Sequence, residues 1–138
     1  MPARDIYHEH VRDALDADGW QITHDPLHLQ WGAKDSYVDL GAEKLLAAER
    51  QGRKIAVEVK SFLGASEIED LKNAIGQFVI YRNVLFRTEP ERMLYLAIRQ
   101  VIYGDLFSES LGTLLIETED IRLLVFDPLE RKVLQWIP

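Results

Sequence analysis

The chain contains no cysteine. A disulfide framework and a zinc–thiolate centre are therefore both excluded. No apolar run is long enough to cross a bilayer. The opening Met1-Pro2-Ala3-Arg4-Asp5 lacks the apolar segment of a secretory signal, so the default expectation is a cytoplasmic protein with no membrane partner. Basic residues are in short supply: 16 Lys and Arg stand against 23 Asp and Glu, a net charge of −7. Simple coating of DNA is thereby disfavoured, because affinity for the phosphate backbone comes from Lys and Arg that displace counterions. A small-molecule hydrolase lacks support, since there is no Ser-His-Asp arrangement and no glycine-rich phosphate loop. Internal repeats, low-complexity tracts and linkers are missing too.

A chain of 138 residues has room for one core of ordinary size. Apolar residues make up 47 %, as in globular chains generally. The expectation is one α/β domain over residues 1–138, a mixed β-sheet flanked by helices.

The local patterns fill in that outline. A first helix, capped by Asp5 or a neighbour, carries Ile6, Val11, Ala14 and Leu15 on its apolar side and ends at Gly19. Residues 20–24 read as a strand, Asp25-Pro26 as a turn, and 27–31 as a short strand or extended segment. A loop at 32–36 leads to a short strand, Tyr37-Val38-Asp39-Leu40. Residues 45–50 suit a helix by the propensity of Ala47-Ala48-Glu49. The tight turn at Arg50-Gln51-Gly52-Arg53 favours a hairpin instead. Ser66 opens a helix with a capping box completed by Glu69, and Ile68, Leu71, Ile75 and Phe78 follow at helical spacing. Glu89-Pro90 breaks it. Met93–Ile98 is the nearly continuous apolar run of a buried, parallel strand. One or two short helices are expected within 101–113. Two late strands, 122–126 and 133–137, are joined by a turn around Asp127-Pro128, with Trp136 packed inward.

The feature with most chemical content is Lys54-Ile55-Ala56-Val57-Glu58-Val59-Lys60. A strand has a side-chain period of two, so Ile55, Val57 and Val59 share one face while Ala56, Glu58 and Lys60 share the other. A carboxylate and an ammonium then project side by side from a strand that is otherwise core. Cross-strand ion pairing on a solvated face would also put them there. Asp39 lies upstream on what is expected to be a neighbouring strand. An acid followed by Glu-x-Lys suits metal-dependent phosphodiester cleavage: carboxylates hold a divalent cation, and a lysine sits by the attacking water or the scissile phosphate. Gln77 and Tyr81, four apart, lie on one side of the downstream helix.

Asp39, Glu58-x-Lys60 and Gln77-x-x-x-Tyr81 together resemble the PD-(D/E)XK nuclease superfamily, especially its RecB-like and archaeal junction-resolvase branches. The resemblance narrows. The opening Pro2-Ala3-Arg4-Asp5-Ile6-Tyr7-His8, the stretches Asp39–Lys44 and Ala56–Ala65, Gly76-Gln77-Phe78 with Tyr81-Arg82, Pro90-Glu91-Arg92, Leu94-Tyr95-Leu96-Ala97, and the closing Asp127-Pro128 with Gln135-Trp136-Ile137 are similar to the XisH family from end to end. That family is known for controlling factors in excision of the fdxN DNA element during heterocyst differentiation, with an associated protein, XisI.

The resemblance implies a restriction-endonuclease-like core and a Mg²⁺ (or Mn²⁺) site formed by Asp39, Glu58 and the backbone carbonyl of Val59. Lys60 would orient the attacking water or neutralise the phosphate, and Gln77 would position Lys60 or the phosphate. Glu9 on the first helix is a further candidate ligand, and Glu43 is the reserve if Asp39 points away. His8 and His10 flank Glu9, but residues two apart on a helix point in different directions, which argues against a histidine–metal site. The superfamily's Pro-Asp is here Val38-Asp39. The long gap from Asp39 to Glu58 requires an extra loop or hairpin. The geometric expectation is that Asp39, Glu58 and Lys60 converge in a concave site at the edge of the sheet, with Gln77 near Lys60.

The implied partners are DNA and an XisI-like protein. A homodimer would supply the two active sites that cutting two strands requires, with a symmetry that matches duplex DNA. Candidate basic groups for a DNA path are Lys34, Lys44, Arg53, Lys54, Lys72, Arg82 and Arg87. The alternative is a nuclease fold without catalysis, acting as a protein-interaction or DNA-architecture module with its XisI-like partner.

Overall fold

Apolar runs and crossover helices of this kind build a three-layer arrangement, and the computed structural model has one. It describes residues 5–32, 38–39, 45–108 and 110–138, with the backbone alone at 38, 39 and 110. Helix α1 (His8–Ala17) leads to β1 (Gln21–His24), β2 (Gln30–Trp31), β3 (Val38–Asp39), β4 (Leu45–Arg50) and β5 (Arg53–Val59). The long helix α2 (Glu67–Thr88) returns the chain to β6 (Arg92–Arg99). A short α3 (Gln100–Ile102), a wide π turn (Tyr103–Phe107) and α4 (Ser110–Glu119) precede the closing strands β7 (Leu123–Asp127) and β8 (Lys132–Ile137).

Six strands form one sheet in the order β1-β4-β5-β6-β7-β8. The β5–β6 and β6–β7 pairs are parallel, whereas β1–β4, β4–β5 and β7–β8 are antiparallel. Parallel neighbours require a crossover connection; α2 supplies the first, and α3 to α4 the second. The β4–β5 hairpin settles 45–50 as strand. Its turn has positive φ at Gln51 (51°) and Gly52 (81°), the mirror-image geometry that matches strand twist.

The two sheet faces carry separate apolar clusters. On one, Val11 and Leu15 of α1 pack with Ile55, Val57 and Val59 of β5 and Tyr95 and Ala97 of β6. Trp136 packs onto this side against Tyr95 and Trp20, with ring centroids 4.9 and 5.7 Å apart. On the other, Leu71, Ala74, Phe78 and Tyr81 of α2 pack with Ala47, Ala56, Leu94 and Leu96. Ser66 caps α2 as its sequence requires, its hydroxyl accepting the Glu69 N–H at 3.2 Å.

Three expectations need correction. Ile6 and Ile68 are 64 % and 47 % exposed: Ile6 precedes α1, which begins only at His8, and Ile68 lies in the first turn of α2. The helical stretch after β6 runs on to Glu119 rather than ending near Thr113, since Leu115 and Ile116 still have the α2-side cluster to pack against. Asp39 is not on a neighbour of β5. Strand β3 pairs with β2 in a separate two-stranded ribbon, Asp39 opposite Gln30, and the strand inserted beside β5 is β4. That strand is the hairpin the long Asp39–Glu58 gap calls for.

Candidate active site

Glu58 lies one residue before the end of β5, opposite Leu45 of β4 and Leu96 of β6. Both neighbours belong to the α2-side cluster, so Glu58 faces α2, and only 1 % of it is exposed. Lys60 is half-buried just past the strand, its N–H still bonded to Ala97 O at 3.1 Å. The Lys60 amide points to β6, so by alternation the Val59 carbonyl points the other way, towards β4. Among the described residues the β4 ladder stops at the Leu45–Glu58 pair. In open sheets of this kind ligands bind outside the carboxyl ends of the parallel strands, which is where Glu58 and Lys60 stand.

The ribbon that carries Asp39 follows a segment bonded to β4. The Leu27 N–H donates to Leu45 O at 2.9 Å, and Leu27 and Leu29 are buried in the cluster that Glu58 faces. The next residue, Gln30, is the partner of Asp39. The side chain of Asp39 lies outside the described residues, as do Glu43, Lys34 and Lys44. Among the described residues no group of three or more His, Asp or Glu side chains is arranged to hold a metal ion. The donors a cation would find here are oxygen atoms, a carboxylate and a strand-end carbonyl, which is the set that hard Mg²⁺ accepts.

Gln77 is half-buried on α2, between the fully buried Ala74 and Phe78 and on the helix that covers the Glu58 face. Tyr81 is 8 % exposed and belongs to the core cluster. Glu9 is exposed on α1, whose buried residues cover the opposite sheet face from Glu58. The two histidines are engaged separately. His8 is buried, with Nε2 2.8 Å from Asp25 Oδ1, and the His10 ring meets the edge of Tyr7 at 5.1 Å.

The basic candidates are dispersed. Arg53 and Lys54 open β5, about 20 Å from Lys60 at the usual strand rise. Lys72 is ion-paired with Glu69 at 3.1 Å, Arg82 donates to Glu119 O, and Arg87 is near the end of α2. Among the described residues no helix is long and apolar enough to cross a membrane.

Two further residues stand beside the site without any motif that marks them as site residues. Asp5 Oδ2 accepts the Ser61 N–H at 2.8 Å, and Arg99 Nη2 donates to Ser61 O at 2.8 Å. The sequence suggests Asp5 only as a helix cap. It does serve the start of α1, Oδ1 accepting the Tyr7 N–H at 2.9 Å.

Comparison with known proteins agrees on one family. A family model described as XisH protein matches residues 1–134. The crystal structure of an XisH family protein from Nostoc punctiforme PCC 73102 is 44 % identical, with a TM-score of 0.89 over 97 % of this chain and 100 % of that one. The crystal structure of an fdxN element excision controlling factor protein from Anabaena variabilis is 46 % identical, with a TM-score of 0.89 over 98 % and 100 % of the two chains. The comparison with curated proteins found no match.

Proposed function

The chain belongs to the XisH family, and from that premise we propose that it is a divalent-metal-dependent DNA endonuclease of PD-(D/E)XK type that serves excision of a DNA element. One set of contacts carries the reading. Leu27 is bonded to Leu45, Leu45 lies opposite Glu58, and Leu29 leads directly into Gln30, the partner of Asp39. The ribbon bearing one proposed ligand is thereby tethered to the strand position beside the other.

In this reading Asp39, Glu58 and the Val59 carbonyl hold Mg²⁺, while Glu9, exposed on the helix that covers the opposite sheet face, takes no part. The cation supplies a more acidic water and stabilises charge on the phosphoryl group. Lys60 directs its ammonium at the water or at a phosphate oxygen, and Gln77 restrains Lys60 or the phosphate. Deep burial of Glu58 suits such electrostatics, because a charged group acts more strongly where water is excluded. The working form is a homodimer or a complex with an XisI-like protein, because an acidic chain has few cations of its own for tracking a duplex.

A panel of duplex, nicked, branched and single-stranded DNA with Mg²⁺ or Mn²⁺, with and without the partner, tests this. The wild type is expected to cut at least one form. Glu58→Gln and Lys60→Ala are expected to lose cutting while staying folded. Equal cutting by both variants would assign the reaction to another site. The same burial, at 1 % exposure, favours the second reading, a non-catalytic interaction module in which Glu58 is part of a polar core cluster. Capture of the XisI-like protein unchanged by Glu58→Gln, with no cutting of any DNA by the wild type, is the result that reading expects.

A further inference from the structure

We propose that Asp5 and Arg99 are positioning residues for Lys60. They grip the backbone of Ser61 from both sides and so set the direction in which the preceding lysine leaves the sheet. The inference rests on the nuclease reading of Glu58 and Lys60.

The backbone makes an abrupt exit here. Lys60 still makes a ladder bond to Ala97 O, yet two residues later Phe62 has φ +56° and is 5 % exposed, its ring edge-on to Phe107 at 6.1 Å. A bulky residue with positive φ is a genuine outlier. Such residues persist only where the surroundings over-determine them, and they cluster at functional sites.

Those surroundings are specific. The two backbone polar groups of Ser61 are each taken by a charged side chain, the N–H by Asp5 and the carbonyl by Arg99, both at 2.8 Å. Asp5 precedes α1 and Arg99 ends β6, so two distant elements meet on one residue. They are also tied to each other through Tyr7, whose N–H bonds Asp5 and whose ring lies 5.0 Å below the Arg99 guanidinium. Hydrogen bonds with an ionised partner are shorter and stronger than neutral ones. A surface loop would ordinarily leave such groups to water.

The consequence is mechanical. With the Ser61 peptide held at both ends and Phe62 wedged in the core, Lys60 has little freedom in its backbone angles. Its Cα–Cβ direction is then fixed relative to Glu58, two residues earlier on the same strand. A misplacement of about 1 Å in a catalytic constellation costs about 100-fold in rate.

The test uses the full chain and the substrate cut best by wild type. Asp5→Asn keeps an acceptor for Tyr7 but can turn an N–H donor towards the Ser61 N–H. It is expected to lower kcat about 10- to 100-fold while KM changes less than about twofold. Arg99→Met is expected to do the same. Arg99→Lys should recover most of the loss, because Ser61 O takes a single donor. Amide exchange at Ser61 should speed up about tenfold in Asp5→Asn and Arg99→Met, while the β5–β6 ladder amides stay protected. A wild type that cuts, alongside Asp5→Asn and Arg99→Met with wild-type kcat, would overturn the proposal and leave the nuclease reading intact. Equal losses in Arg99→Lys and Arg99→Met would overturn it as well. If wild type cuts nothing, the nuclease reading fails and the proposal falls with it.

Discussion

Asp25→Ala should destabilise the fold more than removal of its partner Arg12. Asp25 is 5 % exposed in its side chain and joins two residues of α1: Oδ1 accepts from His8 Nε2 at 2.8 Å and Oδ2 from Arg12 Nη1 at 2.6 Å. His8 is 1 % exposed, so truncating Asp25 leaves a buried donor without its acceptor. That penalty is about 1–3 kcal/mol, and loss of a bond to a charged group adds about 1.5–3 kcal/mol. The sum, about 2.5–6 kcal/mol, brackets the roughly 3–5 kcal/mol that removing one partner of a buried charged pair costs in general. For a chain of 138 residues, each kcal/mol moves Tm by about 3–5 °C, so a cost of about 3–5 kcal/mol lowers it by about 10–25 °C. Arg12 is 37 % exposed and can return to water. Its removal still takes one donor from the buried Asp25 carboxylate, which keeps His8, so Arg12→Ala should cost about 1–3 kcal/mol. Asp25→Asn, which keeps an acceptor for His8, should fall between the two. Urea unfolding at neutral pH, supported by thermal melts, measures all three. If Asp25→Ala costs no more than Arg12→Ala, the reasoning is wrong and the His8–Asp25–Arg12 cluster is not what fixes α1 to the turn ahead of Leu27.

Two further outcomes follow from packing. A Cβ on Gly112 would overlap Leu106 O and lie 2.5 Å from Phe107 Cα, both backbone atoms that cannot swing aside, so Gly112→Ala should lower stability by about 3 kcal/mol in urea unfolding. Arg92, 6 % exposed, donates to Ile55 O at 3.0 Å and to Glu89 at 3.2 Å. Arg92→Met should cost about 1–3 kcal/mol, whereas Arg122→Ala, at a looser 3.6 Å pair with the exposed Asp120, should stay within about 0.5 kcal/mol.

Much of the scaffold was legible because its signals are local. Ser66 and Glu69 announce the start of α2, Gln51-Gly52 announces the hairpin, and the apolar run from Met93 to Ile98 announces a strand buried on both faces. The side-chain period of two also put Glu58 on the face opposite Ile55, Val57 and Val59. What escaped is non-local. Nothing in Tyr37–Leu40 says that β3 pairs with β2 rather than lying beside β5, because strand pairing is decided by the rest of the sheet. The same holds for Asp5 and Arg99, whose bonds to Ser61 span 56 and 38 positions and leave no periodic trace. Ile6 and Ile68 fit helical spacing yet stay exposed, since periodicity does not reveal that α1 begins only at His8 or which residues of a first turn are covered.

The central claim is that Asp39 and Glu58 share a cation. A crystal soaked in Mn²⁺ and measured at the manganese absorption edge tests it most directly. The account expects an anomalous peak bound by the Asp39 and Glu58 carboxylates and the Val59 carbonyl, and expects that peak to vanish in Glu58→Gln. No peak there at saturating Mn²⁺, or Asp39 and Glu58 carboxylates on opposite faces of the sheet, would contradict it.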